Sequence, residues 1–547
     1  MSVVSDSILN KKLDFDIKLL PDEIYNSYQK LLNRCLYKNS QWFAELLFSI
    51  DDSTTPNIEH KEQALSNKNY ILAKGYFDVK EYERASYYAR DKDDTLISFI
   101  YFYSKYQALN FKSNPSFQFS HVIYEDDLNG YKNDYNSLYK ELNDLYLNNK
   151  ADGYHLYILG IILVKMNCRD EALKIFIESI NLEPHIWGSW LEMVDLIPTF
   201  EQITTMQLPK HWITYFFVSR YLVRDNKWEM ALNIYQLLED SGFKKCIYIR
   251  NQVANIHFQM KDMEQSLKSF QNLQITDPYC LDNIDIYSNV LYVLEKDEEL
   301  SILAQHCQDI DPFRPEACCV IGNYFSLKGD RYKAIIYFQR AITLNADFYS
   351  AWVLIGHEYN ELKNTSAAIY AYHKASKINP YDYRVWNGFG LTYEIMMMPS
   401  YSLYYYKRAH MLNPTDSRLL MALGECFEAL GKMKQAKLYY QRALIGGDLE
   451  ETATFKLAKA CEALQDTRNA ALAYNKYLQD AKNRKVSNTA EEAHALKYLG
   501  YYYYSAKDYL KAYSCFHKCF SYVEALEDGK IMVNKLQDYV KSVIPIL

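Results

Sequence analysis

The chain has 547 residues, 49% apolar and 24% charged, with a formal net charge of −7. That composition supplies ample core material and argues against a nucleic-acid binder, because no lysine or arginine run is dense enough to neutralise a phosphate backbone. The longest apolar stretches, such as "YILGIILV" at 157–164, are too short to span a bilayer, and the N-terminus lacks a basic-then-apolar leader. A soluble intracellular chain with no membrane partner is therefore expected.

Glycine (17) and proline (13) are scarce, which favours long runs of helix. Residues 1–110 read as an N-terminal helical region with divergent repeat-like units, among them "YILAKGYFDVKEYERASYYA" (70–89), built around Ala73 and Ala85. Residues 111–152 read as a polar insert or linker that opens with little apolar periodicity and then becomes a helix. The middle units, 153–245, hold Gly160, Ala172, Phe176 and Pro184, then a helix over 185–197, then Ser219, Ala231 and Tyr235.

From 246 to 480 the pattern is regular. Gly322, Gly356, Gly390 and Gly424 stand 34 residues apart. Three residues after each comes an aromatic (Phe325, Tyr359, Tyr393, Phe427). Twelve after comes a small residue (Ala334, Ala368, Ser402, Ala436), sixteen after a large aromatic (Phe338, Tyr372, Tyr406, Tyr440), and nineteen after an alanine (Ala341, Ala375, Ala409, Ala443). Two antiparallel helices per 34 residues is the tetratricopeptide pattern. Small residues mark where two helices touch, and the large aromatics are expected to fill gaps between neighbouring hairpins. One hairpin cannot bury its apolar face alone, so the units must stack. A last unit over 481–520 keeps Gly500, Tyr503, Ala512 and Phe516, and 521–547 is expected to be a terminal helix or tail. The fold class expected is all-α, a tetratricopeptide solenoid or superhelix.

Chemistry-bearing motifs are few. "GHEYNEL" (356–362) opens like HExxH, but Glu361 stands where the second histidine is needed. "CFHKC" (515–519) has a metal-like spacing, yet Cys519 falls on a helix packing position, where free cysteine acts as a small hydrophobe. No CxxC pair, nucleophile triad, phosphate loop or dinucleotide fingerprint occurs. No enzyme activity, cofactor or metal is expected.

The residue after each contact glycine belongs to the concave face of such a repeat. Along the chain it reads Asn255, Asn289, Asn323, His357, Leu391 and Glu425. An asparagine offers both donor and acceptor, so three in register can hold an extended peptide backbone. Acidic residues gather in the same region, among them Asp285, Glu358 and Glu394. A carboxylate in a partly desolvated groove favours arginine, which pairs bidentately. An arginine-bearing peptide is the ligand expected in a groove of Asn255, Asp285, Asn289, Asn323, His357, Glu358 and Glu394.

"ACCVIGNYFSLKGDRYKAIIYFQRAI" (317–342), "GHEYNELKNTSAAIYAYHKA" (356–375), "GECFEAL" (424–430), "SQWFAELLFSI" (40–50) and "HIWGSWLEMVDLI" (185–197) resemble the cell-division-cycle-23 type, eighth-subunit family of the anaphase-promoting complex, or cyclosome. The resemblance implies a non-catalytic scaffold of a multisubunit ubiquitin ligase acting in mitosis, in nucleus and cytoplasm. It also implies homodimerisation through N-terminal repeats, stacking with other tetratricopeptide and scaffold subunits, and a groove for the arginine-containing C box of fizzy-family coactivators. Asn323 and Glu358 match family groove residues by resemblance. Asn289 and His357 follow from register alone. The alternative is a general tetratricopeptide adaptor for another basic-peptide client.

Overall fold

In the computed structural model, residues 20–49, 68–90, 94–113, 125–243, 245–414, 416–446, 452–481, 489–522 and 525–543 are described. Residues 114–124 of the expected polar insert, and 482–488 at the start of the expected last unit, lie outside them. All regular structure among the described residues is helical. The chain forms two compact units, Met1–Asp330 with Thr343–Ala346, and Arg331–Ile342 with Asp347–Leu547. Their division falls inside the array expected over 246–480.

The second unit shows the repeat most plainly. Helix Tyr349–Glu361 pairs with Thr365–Ile378, Tyr383–Ile395 with Pro399–Leu412, Ser417–Ala429 with Met433–Ile445, and Thr452–Ala463 with Thr467–Ala481. Helix Thr489–Ser505 pairs with Tyr509–Lys518, and Leu526–Val543 packs on the end. Capping follows local chemistry. Asp382 and Asp416 accept backbone N–H bonds from Arg384 and Arg418, and Asn364 accepts one from Ala367, each at a helix start.

The contact glycines act as notches. A Cβ on Gly356, Gly390 or Gly424 would lie 2.3–2.5 Å from the ring of Tyr372, Tyr406 or Tyr440, sixteen residues on. Gly160 meets Phe176 and Gly500 meets Phe516 in the same way. The large aromatic thus fills the notch of its own hairpin, where the sequence reading placed it only between hairpins. Tyr372 does both, because its ring also presses on Gly388 of the next first helix. The alanines twelve and nineteen residues after the glycine are fully buried at the helix crossing. Where serine replaces alanine, its hydroxyl donates to a buried carbonyl: Ser402 to Gly390 at 2.9 Å, and Ser266 to Ala254 at 3.0 Å.

A second ladder with the same period lies in the turns. Lys261, Glu295, Gly329, Lys363, Met397, Gly431 and Gln465 all have positive φ, between 53° and 80°. Each ends the first helix of its pair in the left-handed region, where only glycine avoids a Cβ clash. Five of these seven positions therefore carry strain. Met397→Gly is expected to raise unfolding stability by about 0.5–1 kcal/mol in urea melts, because relief of the clash outweighs the added freedom of the unfolded chain.

In the first unit, an N-terminal helix pair, Leu20–Asn33 and Tyr37–Ser49, folds back on later repeats. Trp42 stacks on Trp187 (ring centroids 4.5 Å, planes 7° apart) and meets Trp212, Phe216 and Tyr248. Arg34 pairs with Asp152 at 3.2 Å and lies over the Tyr154 ring. The helix pair is therefore fixed by contacts more than a hundred residues away in sequence.

Candidate functional site

In the first unit, the asparagine column is engaged within the protein. Asn323, on helix Pro315–Leu327, is buried. Its Nδ2 donates to Ser288 Oγ and to Asn289 Oδ1, both at 2.8 Å, so consecutive rungs are bonded to each other. Asn289 is half-buried on helix Ile284–Val293. Asn255 is half-buried as well, and its Oδ1 is a buried acceptor with no hydrogen bond among the described residues. Asp285 is buried in the first turn of Ile284–Val293. One turn before Asn255, Asn251 donates to the Asp282 carbonyl (3.1 Å) and accepts from Asn283 Nδ2 (3.1 Å). Arg314 reaches both Asp282 and Glu316.

In the second unit, Glu358 is almost fully buried on helix Tyr349–Glu361. Arg331 Nη1 reaches its carboxylate oxygens at 3.3 and 3.2 Å, and Arg331 also approaches Glu361 at 3.7 Å. The sequence reading leaves Glu358 waiting for a partner's arginine, whereas the fold already supplies one from within the chain. The physical reason is plain: a carboxylate at this depth is costly without a cation or several donors. An incoming arginine must share Glu358 with Arg331 or displace it.

His357 is half-buried and its Nδ1 lies 3.0 Å from the Tyr372 hydroxyl. Burial and the nearby Arg384 guanidinium push its pKa down to about 4, so it is neutral near pH 7. The same hydroxyl receives Asn360 Nδ2 at 3.2 Å. Glu394 is half-buried and accepts from Tyr406 at 2.7 Å. Glu428 and Glu462 accept from Tyr440 and Tyr474 at 2.8 and 2.7 Å. Asn360, Glu394, Glu428 and Glu462 are thus one column, four residues after the contact position, each engaging the tyrosine twelve residues later. Glu394, expected to hold a ligand's arginine, is engaged by Tyr406, and Asn360, with no such expectation, shares its column. The spacing of twelve between polar residue and notch tyrosine was the available signal.

Outside these columns, Glu23 Oε1 lies 2.8 Å from His185 Nε2 and 2.7 Å from His211 Nε2, the one such group with metal-ligand geometry among the described residues. His211 Nδ1 accepts from the Ile213 backbone N–H, which puts the ring proton of the neutral form on Nε2. His185 Nδ1 is buried with no hydrogen-bond partner among the described residues. A metal-bound Nε2 needs its proton on the other nitrogen, held by an acceptor, and neither ring offers that. The trio instead clasps helix Leu20–Asn33 through histidine donors. Burial alone would raise the Glu23 pKa, but the two histidine bonds more than offset it and hold the carboxyl well below its usual range. In "CFHKC", Cys519 is buried among Phe516, Ala525 and Met532 as a packing residue.

The family model described as "Anaphase promoting complex subunit 8 / Cdc23" matches residues 20–254, and a tetratricopeptide repeat model matches 315–348, 349–382 and 417–444. The chain is 34% identical over 405 residues to anaphase-promoting complex subunit 8 of Dictyostelium discoideum, covering 63% of this chain and 68% of that one. The chain belongs to the anaphase-promoting complex subunit 8/Cdc23 family. A second family member, subunit 8 of Arabidopsis thaliana, is 33% identical over 386 residues, 63% of this chain and 66% of the relative. The cell division cycle protein 23 homolog of Homo sapiens is 40% identical over 283 residues, and the match spans 51% of this chain and about half (47%) of the human one. The family fold is also seen in a solved structure, the crystal structure of the APC/C hetero-tetramer Cut9–Hcn1. It aligns with a TM-score of 0.60 at 15% identity over 94% of this chain and 96% of that chain. For this subunit 8/Cdc23-family chain, that likeness establishes the all-α tetratricopeptide architecture.

Proposed function

We propose that the chain is a non-catalytic scaffold subunit of the anaphase-promoting complex, a ubiquitin ligase acting in the cell cycle. It stacks with other tetratricopeptide subunits, forms a homodimer through its N-terminal repeats, and docks the arginine-containing C box of a fizzy-family coactivator. Family membership carries the scaffold role. The dimer reading is supported by exposed apolar side chains near the N-terminus, among them Phe48, Ile71, Val79 and Tyr87. The docking reading is supported by Glu358, a buried carboxylate on a first helix that already binds a guanidinium in the resting chain. Exchange of Arg331 for a ligand arginine keeps that carboxylate paired throughout, so the exchange avoids the cost of a bare buried charge.

The test is binding of a labelled arginine-containing coactivator peptide to the full chain. Glu358→Ala is expected to weaken it about ten-fold or more, the loss of one charge-assisted pair. Asn323→Ala is expected to weaken it less, because that amide also bonds Ser288 and Asn289 inside the first unit. Arg331→Ala is expected to tighten binding by removing the competitor. Unchanged affinity in all three variants defeats the groove assignment.

A further inference from the structure

The second helices of the second unit carry a pattern that the proposed groove does not use. Ile336, Tyr370, Tyr404, Leu438 and Leu472 recur every 34 residues and are 47–62% exposed. Single exposed apolar residues are ordinary, but one per hairpin at the same position over five consecutive hairpins is an aligned patch. Four residues after each stands a cation: Arg340, Lys374, Arg408, Arg442 and Lys476. Positions i and i+4 share a helix face, so each helix presents an apolar side chain with a basic one beside it. Lys374 indeed leans over the Tyr370 ring. The guanidinium groups of Arg408 and Arg442 lie over the Trp386 and Tyr439 rings, 3.7 and 5.7 Å from the centroids, on side chains that remain exposed.

Charge is segregated on these helices. Across Arg331–Leu344, Thr365–Ile378, Pro399–Leu412, Met433–Ile445 and Thr467–Ala481, Asp480 is the one acid amid many lysines and arginines. The matching first helices hold the glutamates, Glu358, Glu394, Glu428 and Glu462 among them. A chain of net charge −7 thus exposes a basic strip.

We propose that this strip docks an extended, acidic segment of a partner polypeptide, with apolar side chains on the Ile336–Leu472 ladder and carboxylates on the Arg340–Lys476 ladder. Charge complementarity selects an acidic partner. The ladder favours polypeptide, since three of its five positions, Ile336, Leu438 and Leu472, are aliphatic and break up the run of aromatic faces on which nucleic-acid bases would stack. The site lies on the second helices and does not depend on the coactivator reading, which uses the first.

The probe is a labelled peptide in which Glu and Asp alternate with Leu and Phe, titrated into the full chain by fluorescence polarisation. Binding is expected to weaken at least ten-fold in Arg442→Glu/Lys476→Glu, and similarly in Tyr404→Ser/Leu438→Ser. It should fall as salt rises and be unchanged in Glu358→Ala. The four residues changed in the double variants are exposed, and circular dichroism is the check that every variant, Glu358→Ala included, remains folded. The proposal is overturned if the peptide does not bind, if both double variants lose less than three-fold, or if Glu358→Ala abolishes binding. Tighter binding of an oligothymidylate or of phosphatidylserine vesicles than of the peptide overturns it equally.

Discussion

Gly356→Val is expected to destabilise the Arg331–Leu547 unit by about 3 kcal/mol, at the upper end for overpacking a filled core. The added Cβ would sit 2.5 Å from the Tyr372 ring, and the ring has little room to move because it also packs on Gly388 of the next hairpin so tightly that a Cβ there would fall 2.4 Å from it. Tyr372 is fully buried, and its hydroxyl is tied to Asn360 and His357, so swinging it out would strand two more polar groups. Nearest-neighbour stacking makes the damage spread to adjacent hairpins. Urea unfolding followed by helicity should show a lowered midpoint. Gly75→Ala is the control, since a Cβ there meets nothing within 4 Å, and it should be neutral or slightly stabilising. A wild-type midpoint for Gly356→Val would refute the notch account.

Trp42→Ala is expected to cost about 3–5 kcal/mol, the range for deleting a large aromatic from a core. Trp42 is 6% exposed and its ring contacts belong to three other helices: Trp187–Leu196, Ile213–Arg224 and Ile247–Gln259. Other ties of the N-terminal helix pair include the Glu23 clasp, the Phe43 ring against His185 and Trp212, the Tyr70 hydroxyl on the Asn33 carbonyl, and the Arg34–Asp152 and Lys30–Glu183 pairs, and partly solvated ion pairs are weak. Limited proteolysis should therefore cut the variant within residues 20–49 while the 331–547 unit stays protected. Protection equal to wild type would show that the tryptophan stack does not hold the pair.

Repetition explains what could be read without coordinates. A residue that must be small in one hairpin must be small in all, so Gly356, Ala368, Tyr372 and Ala375 announce their roles by recurring at Gly390, Ser402, Tyr406 and Ala409. The left-handed turn residues recur just as strictly, but their identities do not: lysine, glutamate, methionine and glutamine occupy them beside two glycines. Their signal is conformational and has no composition. The groove was legible only as a set of positions. Register places Glu358 and Asn323 on first helices, yet it cannot show that Arg331 and Asn289 already satisfy them, because those bonds join different helices. The Trp42–Trp187 stack and the Glu23–His185–His211 clasp lie further still from sequence reach, with partners about 145–190 residues apart and no period linking them.

The most direct test of the scaffold account is purification of the tagged full chain with its native partners at endogenous level, followed by quantitative mass spectrometry. The account predicts that other subunits of the anaphase-promoting complex are recovered in stoichiometric amounts, with two copies of this chain per assembly. Recovery of the chain without any other ligase subunit would contradict it.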